Sequence, residues 1–196
     1  MKKLLGIVVL GLLLITSSQA DDIRDFEIEG ITIGDTMLKY YDKELINQRK
    51  ADWPGSKKYT RFWDNSIQSE MYDSIQLIYL TNDSNYIIKG IVAGILYENT
   101  PISNCYNRQL EITEELKPLF PNTKIEIGKI NKHKTDVTGK STYKNIYFRF
   151  INGDTVATGC YNWSKKIEEE KNWVDHFRIS IYDNNHKLWL QNEAYK

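Results

Sequence analysis

Beyond its first fifteen residues this chain has no apolar run long enough to cross a membrane. The longest, Ile87 to Tyr97, covers eleven residues and contains Lys89, whereas a spanning helix needs about 20. Neither sign of charge is in excess: 26 basic residues face 26 acidic ones. A near-neutral chain has no net electrostatic drive towards nucleic acid or an anionic membrane. Neither is an expected partner. Lysine outnumbers arginine 20 to 6, and isoleucine and asparagine are abundant, a bias of an AT-rich coding genome rather than of function.

Catalytic and cofactor motifs are missing as well. Thr138-Gly139-Lys140-Ser141-Thr142 has the end of a phosphate loop, but Lys134 stands where the first glycine belongs. A strand, not the required helix, is also expected to follow. The segment reads as an exposed loop. No Gly-x-Ser-x-Gly elbow occurs. His133, His176 and His186 stand at no ligand spacing from another His, Cys or carboxylate, and each reads as a surface histidine. Asp175 and His176 are strand neighbours, so they point to opposite faces. Carboxylates are plentiful, yet an acid/base pair assembles in space rather than in sequence. Glu168-Glu169-Glu170 reads as a solvated run, open at most to a cation or a basic partner. No metal and no cofactor is expected.

What the N-terminus does have is the layout of an export signal. Lys2 and Lys3 precede twelve uncharged apolar residues, Leu4 to Ile15, and a polar stretch ends with Ser18 and Ala20 at the positions a signal peptidase requires. Cleavage after Ala20 predicts a periplasmic or secreted bacterial protein; an uncleaved anchor is the alternative. Residues 21–196 then form one domain. Loss of the two leader lysines leaves a net charge of −2.

Cysteine is scarce: only Cys105 and Cys160 occur. In an exported chain an even pair is read first as a disulfide, here closing a loop of about 55 residues and contributing ~4 kcal/mol through the unfolded chain. Two buried free thiols or a catalytic cysteine are the alternatives.

The pattern along the domain alternates helix and strands. Residues 26 to 33 suggest a short strand or extended arm. A helix is expected from Asp35 or Thr36 as N-cap, with Met37, Leu38, Tyr41 and Leu45 on its apolar stripe, and Trp53-Pro54-Gly55 as a turn. Strands are expected at Lys58–Trp63, Ser74–Thr81 and Tyr86–Tyr97. Gly90 and Gly94 mark either a closely packed helix or a bend. A second helix runs from Asn104 to Lys117, N-capped by Ser103 and stopped by Pro118; it puts Cys105, Ile112, Leu116 and Leu119 on one inward face. Further strands are expected at Lys124–Ile130, Tyr143–Ile151, Thr155–Trp163, His176–Tyr182 and Lys187–Leu190. Asn152-Gly153 is the clearest hairpin turn, and Asp183-Asn184-Asn185 marks another. Lys165 to Lys171 is a charged loop or helical turn. The fold class is therefore α+β: two helix-then-antiparallel-strands units, 26–100 and 101–196, with helices packed on one face of an antiparallel sheet.

Aromatics are the one surplus, with five tryptophans and thirteen tyrosines. Many belong in the core. Tyr59, Trp63, Tyr161, Trp163, Trp173 and Trp189 lie in or beside strands whose alternate residues face outward, and exposed Tyr and Trp often anchor partners.

Asp25-Phe26-Glu27-Ile28-Glu29-Gly30-Ile31-Thr32-Ile33-Gly34-Asp35-Thr36, Cys105-Tyr106, Gly139-Lys140-Ser141-Thr142 and Cys160-Tyr161-Asn162-Trp163-Ser164 resemble a group of small exported marine proteobacterial proteins, a resemblance that implies no activity and no site. Ile31-Thr32-Ile33-Gly34-Asp35-Thr36 opening a helix is similar to the helix start of small outer-membrane assembly lipoproteins of the SmpA/OmlA type, although the lipidated cysteine is missing. The tandem helix-then-strands order resembles the β-lactamase inhibitor protein fold. Both relatives imply a non-enzymatic protein binder. The expected function is thus a binding module holding an envelope protein or glycan on an aromatic sheet face. The alternatives are an envelope-acting hydrolase with a carboxylate site, and a structural or assembly factor of the envelope.

Overall fold

The computed structural model describes residues 22–53, 55–64 and 69–194. The signal-peptide reading falls on residues 1–20, outside them, as does Pro54 of the expected turn.

The first segment is tied down more tightly than its sequence suggests. In place of one strand over 26–33 there is a minimal hairpin, β1 (Glu27–Ile28) and β2 (Ile31–Thr32). Its turn places Glu29 and Gly30 at φ +52° and +72°, a left-handed pair that reverses the chain. The expected first helix is split. Thr36 caps only a 3-10 turn, Met37–Lys39, and α1 (Lys43–Arg49) starts at Asp42, whose Oδ1 accepts the Leu45 N–H at 2.7 Å. The sheet causes the split. Gly34 N–H donates to Ile88 O, Ile88 N–H to Asp35 O and Met37 N–H to Tyr86 O, so the backbone before Tyr40 is held by strand bonds when it would otherwise coil.

The remaining chain builds one large antiparallel sheet. Its strands are β3 (Lys50–Trp53), β4 (Ser56–Asp64), β5 (Ser74–Leu80), β6 (Ile88–Leu96), β7 (Lys124–Ile127), β8 (Asn131–Lys132), β9 (Thr142–Arg149), β10 (Thr155–Asn162) and β11 (His176–Tyr182). The order is β3-β4-β5-β6-β11-β10-β9-β7, with β8 also on β9. The strand expected at Lys124–Ile130 breaks at Gly128, whose N–H still donates to Asn145 O. A Cβ at Gly128 would sit 2.5 Å from that same carbonyl oxygen, so glycine is what permits the approach. Gly90 and Gly94 are crowded by neighbouring-strand side chains, Ile78 and Tyr182 around one and Ser74 beside the other.

Helices cover parts of both faces, which corrects the expectation of one helical face. α2 (Ile102–Leu116) lies on β10 and β11. It begins after Pro101, with no side-chain cap from Ser103. Cys105 on α2 and Cys160 on β10 form a disulfide, both fully buried, with Cα atoms 6.0 Å apart. Beside it Gln109 Nε2 donates to Lys144 O and Thr158 O at 3.0 and 3.1 Å. Phe62, Leu77, Ile91, Ile146, Phe148 and Phe177 complete this core, which the N-terminal segment closes.

The second face carries α3 (Lys165–Lys171) and α4 (Asn184–Asn192). α4 occupies the stretch expected as strand Lys187–Leu190. The reason is local: Asp183 does not merely turn the chain but N-caps it, accepting the His186 N–H at 2.7 Å. His186 and Trp189 are then three apart on one helical face. Trp189 packs on Trp53, Tyr59 and Ile78.

Candidate functional site

On the face away from α2, register places three rings side by side. Tyr161 lies opposite Tyr143 on β9 and opposite His176 on β11. Tyr143 and Tyr161 are 6.0 Å apart and 15° from parallel, Tyr161 and His176 4.8 Å and 10°. Arg178 Cζ stands 4.4 Å from the Tyr161 ring centre, a cation–π contact. The ladder continues past the end of β10: Trp163 is 6.0 Å from Tyr161, and Trp173, just after α3, is 4.6 Å from Trp163. His133 closes the cluster from the loop after β8, 4.6 Å from Trp163.

Three polar contacts hold these rings. Asp175 Oδ1 accepts the Trp163 N–H at 2.6 Å. Ser164 N–H donates to Ser141 Oγ at 2.9 Å. Asp136 accepts from Ser141 N–H and Oγ–H and from Thr138 N–H and Oγ–H, at 2.6–2.9 Å. The segment read as a plain exposed loop is thus an organised one, with Ser141 fully buried. Ser141 and Thr138 hold the Asp136 carboxyl far below the usual carboxylate range. Ile167 of α3 fills the space beneath Trp163.

Burial disfavours the charged form of both imidazoles here. Burial pushes His176 down to about 4, outweighing its bond to the Val174 carbonyl. Because a carbonyl only accepts, Nδ1 carries the proton in that 2.8 Å contact. Burial, and then Arg178, also lowers His133. Burial raises the Asp175 carboxyl despite the Trp163 N–H. Among the described residues no hydroxyl or thiol of the cluster is hydrogen-bonded to either imidazole, and the Arg178 guanidinium lies over the Tyr161 ring.

The six aromatics singled out from the sequence separate. Tyr59 and Trp189 are 3% and 1% exposed, 4.7 Å apart where the inner side of α4 meets the sheet; they are core, not a partner surface. Tyr161 and Trp163 are buried as the backing of the cluster, and Trp173 and Trp63 reach the outside, each 38% exposed. Trp63 lies on β4, and register places it in another row of the sheet, opposite Gln76. The histidines also need correction. His186 is fully buried with neither ring nitrogen hydrogen-bonded, and His133 and His176 are partly buried. Tyr143, His133, His176 and Arg178 were missed because three separate segments supply them. Only the strand parity of Tyr143 and Tyr161 about the Asn152-Gly153 turn hinted at any of them.

Elsewhere, a shallow polar cleft of about 220 Å³ lies between α1, β3 and the β5–β6 turn, lined by Asp52, Thr60, Tyr79, Thr81 and Asp83 among others. Asp83 is spent on the turn, accepting from Asn85 and Ile87 N–H. Among the described residues no three of His, Cys, Asp and Glu gather as a metal site, and no helix is long and apolar enough to cross a membrane. No family model matches the chain, and no curated protein or solved structure matches it significantly.

Proposed function

We propose that this chain is a non-enzymatic binding module of the periplasm or extracellular space, which holds an envelope protein or glycan against the Trp163–Trp173 end of its sheet. The observation that carries this reading is the outward Trp173 packed at 58° against a buried Trp163, whose backbone N–H is held by Asp175. Such a ring is rigid before a partner arrives, so it loses little conformational freedom on binding.

The buried carboxylates support binding over hydrolysis, because each has a structural task. Asp64 pairs with Arg49 at 3.0 Å, Asp136 organises its loop, Asp154 accepts the Asn184 N–H and Asp183 caps α4. The disulfide supports an oxidising compartment. The reading includes two related units, with resemblance to the β-lactamase inhibitor protein fold; the mirrored strand order about the β6–β11 pair supports it.

Affinity capture from envelope extract on immobilised chain, wild type against Trp173→Ala, tests the proposal. Partners retained by wild type and lost from the variant are expected. The same partners on both would overturn it.

A further inference from the structure

Near-neutral overall charge conceals a local separation. Between Gly128 and Ser141 the chain carries Lys129, Lys132, Lys134 and Lys140 against a single acid, Asp136. All four lysines are exposed, and none makes an ion pair among the described residues. Asp136 cancels one of them from inside the loop, where both its oxygens are bonded to Thr138 and Ser141. The segment therefore carries a net charge of +3, with lysine the only charged residue at its surface. Screening limits a charge's reach to about 10 Å, so a large anionic surface meets the tip's own charge and not the molecular average. α3 nearby is balanced, with Lys165, Lys166 and Lys171 against Glu168, Glu169 and Glu170.

The same tip is apolar at its extremity, where Val137 is 91% exposed. Backbone hydrogen bonds hold the loop that presents it: His133 N–H donates to Ser141 O, Asp136 N–H to His133 O and Gly139 N–H to Asp136 O. Through His133 and Trp163 the loop packs towards Trp173, a residue type favoured at bilayer interfaces.

We propose that the β8–β9 tip docks this protein on an anionic lipid surface, with the lysines at the headgroups and Val137 entering the interface. A soluble polyanion would satisfy the lysines but leave Val137 in water. A bilayer accommodates both. The two readings share Trp173, but the variants that test this one, at Lys132, Lys134 and Val137, leave that ring in place, so the two can fail separately.

Cosedimentation of the exported form with vesicles tests it, using phosphatidylcholine alone and phosphatidylcholine mixed with phosphatidylglycerol. Binding is expected only with phosphatidylglycerol present. Each lysine near such a surface is worth about fivefold in partitioning, so Lys132→Glu with Lys134→Glu should weaken binding by about 25-fold or more, two such steps before the repulsion of the new carboxylates is added. Val137→Asp should weaken it several-fold and Val137→Trp strengthen it, with far-ultraviolet circular dichroism unaltered because this side chain lies outside the core. Equal binding to both vesicles, or variants indistinguishable from wild type, would overturn the proposal. So would retention on dextran sulfate that Val137→Asp leaves intact while vesicles go unbound, since that outcome identifies a soluble polyanion as the ligand.

Discussion

Tyr161 and His176 face each other across the β10–β11 pair, their rings 4.8 Å apart and 10° from parallel. Arg178, two residues along β11 and therefore on the same face, lies over the Tyr161 ring. The imidazole is enclosed by an aromatic face and has a cation beside it, so protonation is opposed both by lost hydration and by like charge.

Acid stability follows from this and from the second buried histidine. Folding depresses His176 to about 4 and His186 to about 3 from an ordinary 6.5. The unfolded chain thus binds more protons, and stability is full above pH 6.5 and falls as pH drops from there towards 3. Each histidine costs ~1.4 kcal/mol per pH unit within its window. His186→Phe should flatten the wild-type curve between pH 6 and 4, measured by urea midpoints. Parallel curves for the two proteins would refute the burial account of His186.

Reduction of Cys105–Cys160 should lower stability by ~4 kcal/mol for a loop of this size, or about 10 °C in Tm. Differential scanning calorimetry of the Cys105→Ala/Cys160→Ala variant measures it without reductant. A change below 1 °C would mean that the bridge adds nothing to the packing of α2.

Trp173→Ala and Trp163→Ala should separate. Trp173 is an outer ring, so its loss costs about 1 kcal/mol or less. Trp163 is buried between Tyr161, His133 and Ile167, and its truncation costs ~3–5 kcal/mol. Chemical denaturation of both variants gives the comparison, and equal losses would place Trp173 in the core.

Gly159→Ala tests the stacking ladder from beneath. An added Cβ would stand 2.9 Å from Tyr161 Cε2 and would also strike Asn145 Oδ1. A destabilisation of ~1–3 kcal/mol is expected, with an altered near-ultraviolet spectrum from the displaced Tyr161. An unchanged spectrum would show that the ring has room to move.

Register explains why the candidate site was only partly legible. The Asn152-Gly153 turn was readable, and Gly153 does adopt φ +90°. The loop it closes runs from Phe150 to Asp154, which pairs Arg149 with Thr155 and hence Tyr143 with Tyr161. A two-residue loop would have paired Tyr143 with Asn162 instead, and a shift of one residue moves a side chain's neighbours to the other face. The aromatic row therefore depends on a loop length that turn chemistry alone leaves open. His186 and Trp189 show the same limit in a helix. Their segment is short and apolar enough to suit either structure, and Asp183 decided it as a cap.

By itself the sequence determined the interior strands, because Ser74–Leu80, Thr155–Asn162 and His176–Tyr182 are dense in residues that suit a pleated buried surface. It also determined that Cys105 faces inward on α2, through the spacing of that helix's apolar positions. Tertiary structure alone decided which aromatics are enclosed: Tyr59 is buried because α4 lies on it, whereas Trp173, against Trp163 and under the Lys171 ammonium, stays 38% exposed. It likewise decided where charge appears, since Asp136 turns inward only when Thr138 and Ser141 fold around it. Burial and exposed charge are properties of distant neighbours brought together, and a linear pattern specifies faces without naming what will lie against them.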